Sequence, residues 1–318
     1  MKNKLKIVFF GTPDFAIPAL KSLINFDYHI EAVVTQPEKP VGRAKVILPS
    51  PVKKVALEYD IKVFEPHSLK KDEEFFKQFK HLNSDICLIA AYGKIIPSQY
   101  IELPKYGFIN IHPSLLPKYR GPSPIQTAIL NGDTKTGVTI MKIDEEVDHG
   151  SILSSKSYYL PPNTYYSQAE QELARLGAEL LIETIPKYLN EEIKPREQDH
   201  SQATFTKIIT REDGKIDWNK SAEEIYNQIR ALNPEPGTWT IWQNKILNII
   251  KTDYLDVQLP RNLEVEHPGT VFKLNNDIAV VTQKCYLILK QIQLEGGKEM
   301  DAKAFLNGHP DFLNSTLE

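Results

Sequence analysis

Short apolar runs alternating with stretches of helical spacing set the strongest limit on what this chain can fold into. Ile7-Val8-Phe9-Phe10 reads as a buried strand, and Gly11-Thr12-Pro13-Asp14 turns it into a helix over residues 17–23. A strand follows at 30–35, then a Pro-rich loop at 36–51 and a helix at 52–59. Val63-Phe64, residues 85–90 and residues 108–111 continue the strand series, with helices at 73–79 and 125–130. Parallel strands need long crossover connections, usually helical. The rhythm therefore predicts an α/β fold with a doubly wound, mainly parallel, Rossmann-like sheet. Ligands of such sheets sit beyond the carboxyl ends of the strands.

Two further strands, 138–143 and 151–159, precede a helix at 166–189 with Leu173, Leu176, Leu180 and Leu181 near one face. Residues 190–208 are polar and lack periodicity, which reads as a linker. Beyond it the pattern changes to one helix (221–232) and short strands near 239–242, 247–251, 269–272, 278–282 and 287–292. Asn-Asn, Pro-Gly and Gly-Gly turns among them predict a small β-barrel. The expected layout is a domain at 1–189, a linker at 190–208 and a second domain at 209–318.

With 318 residues, 41% hydrophobic and 25% charged, the chain can bury two cores and lacks the composition of a disordered one. A net charge of −3 gives no global footprint of a nucleic-acid binder and leaves room only for a local basic patch. The apolar run after Lys6 is too short for a signal peptide or a membrane span. Cys87 and Cys285, far apart and each in a strand-like run, fit buried free thiols better than a disulfide or a zinc site. A soluble cytoplasmic protein with no membrane partner is expected.

Two familiar sites are missing. Phe10-Gly11-Thr12-Pro13-Asp14-Phe15 holds one glycine where a dinucleotide fingerprint needs three. No G-x-S-x-G elbow occurs, and Ser114 is flanked by Pro113 and Leu115. The chemistry concentrates instead in Asn110-Ile111-His112-Pro113-Ser114-Leu115-Leu116-Pro117. Asn110 and His112 are two apart on a strand, so both side chains leave the same face. An amide donor beside an imidazole suits acyl transfer, where an oxyanion must be held and protons traded near neutral pH. Asp148, between two predicted strands, could hold the imidazole ring and favour its charged form. By spacing alone the turn reading of Asp148, before His149-Gly150, is the stronger one, and His112 could equally be a structural histidine.

Taken together, the motifs resemble the folate-dependent formyltransferases. The resemblance rests on residues 110–117, Tyr119-Arg120-Gly121, Pro124-Ile125-Gln126, Thr136-Gly137-Val138-Thr139 and Asp148-His149-Gly150. Residues 11–16, Gly42-Arg43, 49–53, Asp217-Trp218, 229–234, Pro236-Gly237, 268–271 and Phe305-Leu306-Asn307-Gly308 extend it to the tRNA-formylating members, nearly end to end. The resemblance implies formyl transfer from 10-formyltetrahydrofolate to the α-amine of methionyl initiator tRNA, with no tightly bound cofactor and no metal. It implies Asn110, His112 and Asp148 as the catalytic residues. Ser114, Leu115, Leu116 and Pro117, with Tyr92, Ile95 and Ile96, would hold the folate. Arg43 and Lys45, in the loop after the second strand, would contact the tRNA, helped by Lys39, Lys53 and Lys54. The second domain would be OB-like and tRNA-binding, and the enzyme a monomer.

The chain departs from the family in two places. Ala44 and Val46 stand where relatives carry consecutive lysines, and Pro113 replaces a frequent glycine, removing one backbone N–H. An amino-sugar formyltransferase would use the same trio, but the Gly42-Arg43 loop, Asn233-Pro234 and the closing Phe-Leu-Asn-Gly favour tRNA. A 10-formyltetrahydrofolate hydrolase would not need the second domain, and a non-catalytic tRNA-binding module would have no use for the trio.

Overall fold

The apolar run that opens the sequence becomes β1 (Lys6–Gly11), whose residues from Ile7 to Phe10 are fully buried in the middle of a seven-stranded sheet. The computed structural model describes residues 5–41, 46–255 and 267–318. After β1 come α1 (Ile17–Asn25), β2 (His29–Val34), β3 (Lys39–Val41), β4 (Val46–Leu48), α2 (Pro51–Glu58) and β5 (Val63–Phe64). Then follow α3 (Glu73–Leu82), β6 (Ile86–Ala90), α4 (Ser98–Ile101), β7 (Phe108–His112) and α5 (Pro124–Leu130). This half ends with β8 (Lys135–Lys142), β9 (Ile152–Tyr159) and α6 (Tyr166–Leu189).

The strand order is β5-β2-β1-β6-β7-β8-β9. The first five run parallel, as their spacing predicts, while β8 and β9 are antiparallel. The connection 143–151 is too short for a crossover, so β8 and β9 can pair only in that sense. Local chemistry fixes the helix ends. Ser50 accepts from Lys53 N ahead of Pro51 at the first turn of α2, and Asp72 accepts from Phe75 N to start α3. On one side of the sheet Phe10, Phe75, Phe79, Tyr92 and Phe108 form a single apolar cluster. On the other, Gly177 lets α6 lie close over the sheet, since a Cβ there would come within 2.6 Å of Ile111 Cγ2.

The loop expected at 36–51 contains a two-stranded antiparallel pair, with Lys39 opposite Leu48 and Val41 opposite Val46. Its prolines hid the pairing from a reading by composition.

The chain divides into two compact units. The first comprises residues 1–124, 135–159 and 170–207, the second residues 125–134, 160–169 and 208–318. Residues 190–207, read as linker from their lack of periodicity, are laid along the first unit by backbone hydrogen bonds. Ile152 and Arg196 exchange both of theirs (2.8 and 2.9 Å), and Arg120 bonds Thr204 and Thr206 on either side of Phe205 (2.8 Å each).

In the second unit α7 (Ala222–Leu232), started by a Ser221/Glu224 capping box, packs with a curled antiparallel half-barrel. Its strands are β10 (Trp239–Trp242), β11 (Lys245–Leu255), β12 (Val271–Leu274), β13 (Asp277–Val281) and β14 (Tyr286–Leu294), ordered β10-β11-β14-β13-β12. The short β15 (Met300–Asp301) pairs with β14 and leads into α8 (Ala302–Gly308). Trp218 and Trp242 are buried there. Arg230, also buried, donates to the Thr164 carbonyl (2.7 Å) and to Asn227, tying 160–169 to α7, and burial holds its pKa below the usual range.

Cys87 is buried, and that burial pushes its thiol pKa up. Cys285 corrects the sequence reading: it is half-buried, in a left-handed turn (φ 70°) between β13 and β14 rather than inside a strand. Among the described residues, no helix is long and apolar enough to cross a membrane.

Candidate active site

The pleat of β7 brings Asn110 and His112 to one face at the carboxyl end of the sheet. Register with β6 and β8 is fixed by Ala90 opposite Ile111 and Thr139 opposite His112. The loop between β8 and β9 carries Asp148 to the same place. Asn110 Nδ2 and His112 Nδ1 each lie 3.5 Å from one atom, Asp148 Oδ1. Both distances are long for hydrogen bonds, as catalytic contacts often are before a substrate tightens them.

The other ends of these groups are occupied. His112 Nε2 donates to the Tyr119 carbonyl (2.9 Å), which places a proton on Nε2 and leaves Nδ1 as the ring atom facing Asp148. Asp148 Oδ2 accepts from Gly121 N (2.8 Å), so the carboxylate is anchored by one oxygen and presents the other to Asn110 and His112. Gly121 has φ 109°, and a Cβ there would come within 3.0 Å of the Thr206 backbone carbonyl. Only glycine fits this donor position. His112 is buried (3% exposed) and Asp148 partly so, which keeps bulk water from screening the trio.

The segment after β7 is closed on itself. Ser114 is fully buried, and its hydroxyl donates to the Lys118 carbonyl (2.6 Å). Thr139 Oγ1 donates to the Ser114 carbonyl (2.7 Å) and accepts from Leu116 N (3.2 Å). Leu115 packs against Gly137, Leu116 is buried, and Pro117 follows a cis bond. In the turn after β6, Tyr92 and Ile96 are buried, whereas Ile95 is 76% exposed. The Tyr92 carbonyl accepts from Gln36 Nε2 (2.8 Å) and Thr12 Oγ1 (3.3 Å).

Arg43 and Lys45 lie outside the described residues. Lys53, expected to help them, is engaged by Glu38 (2.8 Å) and Glu65 (2.6 Å), whose carboxylates raise its pKa. Lys54 is exposed.

Sequence reasoning missed Gln198, His200, Thr204 and Thr206, all in the supposed linker. Gln198 bonds the backbone of the Asp148 loop, Thr204 Oγ1 accepts from Tyr119 N (2.8 Å) and Thr206 Oγ1 accepts from Ser123 N (3.1 Å). No spacing rule singles them out, because their contacts reach back 50 to 85 positions along the chain. Among the described residues no three His, Cys, Asp or Glu side chains gather as a metal site.

The sequence profile described as "Formyl transferase" matches residues 5–185, and "Formyl transferase, C-terminal domain" matches residues 208–310. The methionyl-tRNA formyltransferase of Caldicellulosiruptor saccharolyticus is 43% identical over 307 residues, spanning 96% of this chain and 97% of that one. That of Caldanaerobacter subterraneus is 41% identical over 305 residues, with 96% and 97% covered. Among solved structures, an N-formyltransferase from Helicobacter canadensis in complex with folinic acid and dTDP-3-aminofucose superposes with a TM-score of 0.67. It is 20% identical, over 93% of this chain and all of that one. The sugar 3N-formyl transferase WlaRD, in the presence of dTDP and 5-N-formyl-THF, gives 0.66 at 22% identity, over 90% and 96%. At those identities the structures speak for the fold alone.

Proposed function

The chain belongs to the formyl transferase family, and on that premise we propose that it moves the formyl group of 10-formyltetrahydrofolate onto the α-amine of methionine esterified to initiator tRNA. The product primes the initiation of translation, and the enzyme works as a cytoplasmic monomer. What supports a catalytic role for Asn110, His112 and Asp148 is one observation: Asn110 Nδ2 and His112 Nδ1 converge on a single oxygen of Asp148.

In this reading the methionyl amine attacks the formyl carbon, a C–N bond forms, and the carbonyl oxygen becomes an oxyanion. Asn110 Nδ2 and protonated His112 Nδ1 donate to that oxygen, in place of their long contacts to Asp148 Oδ1. The attacking nitrogen carries a positive charge and an extra proton, which passes to Asp148 Oδ1 directly or through one water. Collapse of the intermediate breaks the bond to N10 of the folate, and N10 leaves with a proton drawn from the same pair. Asp148 balances the charge on His112 before it takes the amine's proton and again once that proton has gone to N10, and its anchored Oδ2 holds Oδ1 in line.

Ser114 to Pro117 shape the folate side of the crevice through backbone groups, and the turn Tyr92 to Ile96 supplies further backbone partners for the pterin, with Ile95 against it. Arg43 and Lys45 take acceptor-stem phosphates. The second unit carries few clustered cations and adds surface rather than charge.

The test offers the purified protein 10-formyltetrahydrofolate with methionyl initiator tRNA, and separately with a dTDP-linked amino sugar. Formylation of the tRNA alone is expected. Formylation of the sugar with none of the tRNA would overturn the acceptor assignment.

A further inference from the structure

Asp148 is aimed by its loop, and the loop is held from outside by one buried amide. Gln198 Nε2 donates to the carbonyls of Asp148 (2.9 Å) and Gly150 (2.8 Å). Its Oε1 accepts from Arg120 Nε (3.1 Å) and Nη2 (2.7 Å). Gln198 is 5% exposed and Arg120 3%, so neither exchanges these partners for water. A neutral amide can sit either way round. Arg120 decides the matter here: two donors on one side require the oxygen there, and the NH2 group must then face the two carbonyls.

The arginine is itself fixed. Its Nη2 donates to His200 Nδ1 (2.8 Å), and the His200 ring stacks on His149 with centroids 4.1 Å apart and planes 6° from parallel. His149 Nδ1 bonds Asp144 Oδ2 (2.7 Å), inside the same loop. All this surrounds a residue in an uncommon conformation: Asp148 has φ 49°, a left-handed value that a non-glycine residue keeps where its surroundings hold it.

We propose that Gln198 is a positioning residue for formyl transfer. Through the carbonyls of Asp148 and Gly150 it holds Asp148 Oδ1 against Asn110 and His112, while Arg120 and His200 set the orientation of its amide. The proposal rests on the catalytic role given to Asp148 above.

Gln198→Ala, Gln198→Glu, Asp148→Ala and the Gln198→Ala/Asp148→Ala double variant test it by kcat, KM for both substrates and thermal melting. Gln198→Ala is expected to lower kcat by about ten- to a hundredfold, the scale of a misplacement near 1 Å, while both KM values stay within about twofold. Gln198→Glu keeps an acceptor for Arg120 but sets an oxygen against two carbonyls, so its kcat falls equally. Should Gln198→Ala fail to fold, Gln198→Glu carries the same comparison. In the Asp148→Ala background, adding Gln198→Ala is expected to change kcat by less than about twofold, because the group it positions is gone. An unchanged kcat for Gln198→Ala, a loss confined to KM, or a loss undiminished in the Asp148→Ala background would overturn the positioning role. Wild-type kcat in Asp148→Ala itself would instead overturn the role of Asp148, and the proposal with it.

Discussion

At the scale of single residues, the site depends on which end of each side chain is already committed. His112 gives Nε2 to the Tyr119 carbonyl and Asp148 gives Oδ2 to Gly121, so one atom of each is left for chemistry. The two-residue spacing of Asn110 and His112 made their shared face legible in the sequence, because a strand alternates. The tie to Gly121 was not legible, since it depends on a φ of 109° that no neighbouring residue announces. Ser114 shows the same limit: the resemblance implies a place in the folate site, and only the structure shows its hydroxyl closed on the Lys118 carbonyl. Ser114→Ala leaves that carbonyl without its donor and should cost about 1–2 kcal/mol, read as a lowered Tm with the folate KM little changed. A raised folate KM at unchanged Tm would instead mean that the hydroxyl leaves Lys118 to bind the ligand.

Elements, rather than residues, place the three groups together. Strands β1, β2, β6 and β7 were readable as apolar runs because both faces are covered, and the 166–189 helix was readable from its leucines. The antiparallel β3–β4 pair and the course of residues 190–207 were not, because prolines and polar side chains mask pairing made by the backbone alone. Gly177 is the point where α6 bears on the site, through Ile111 between Asn110 and His112. Gly177→Val gains roughly half a kcal/mol in helix propensity but overpacks a buried contact, at a cost of about 1–3 kcal/mol. The overpacking outweighs the gain. The variant should melt at lower temperature and lose kcat as Ile111 shifts its neighbours. A variant as stable and as fast as the parent would show that α6 does not set the geometry of β7.

For the whole molecule, the match of two family profiles across both halves supports the reaction class, while the proposed choice of acceptor gives Arg43 and Lys45 the tRNA contacts. Composition could not reveal this: a net charge of −3 averages a few local cations away. Lys53 is paired with Glu38 and Glu65, so the proposed reading places more of the tRNA contact on Arg43. Arg43→Ala should therefore raise KM for methionyl-tRNA severalfold and flatten its salt dependence, with the folate KM unchanged. An equal loss with a minimal amine acceptor would remove the loop from tRNA recognition. The central claim is that Asn110 and His112 hold the oxyanion of formyl transfer. Single-turnover transfer from 10-formyltetrahydrofolate to methionyl initiator tRNA, comparing the parent with Asn110→Ala at saturating substrates, tests it most directly. The account predicts a rate about a hundredfold or more lower with both substrates still bound; an unchanged rate, or a loss explained by weaker binding alone, would contradict it.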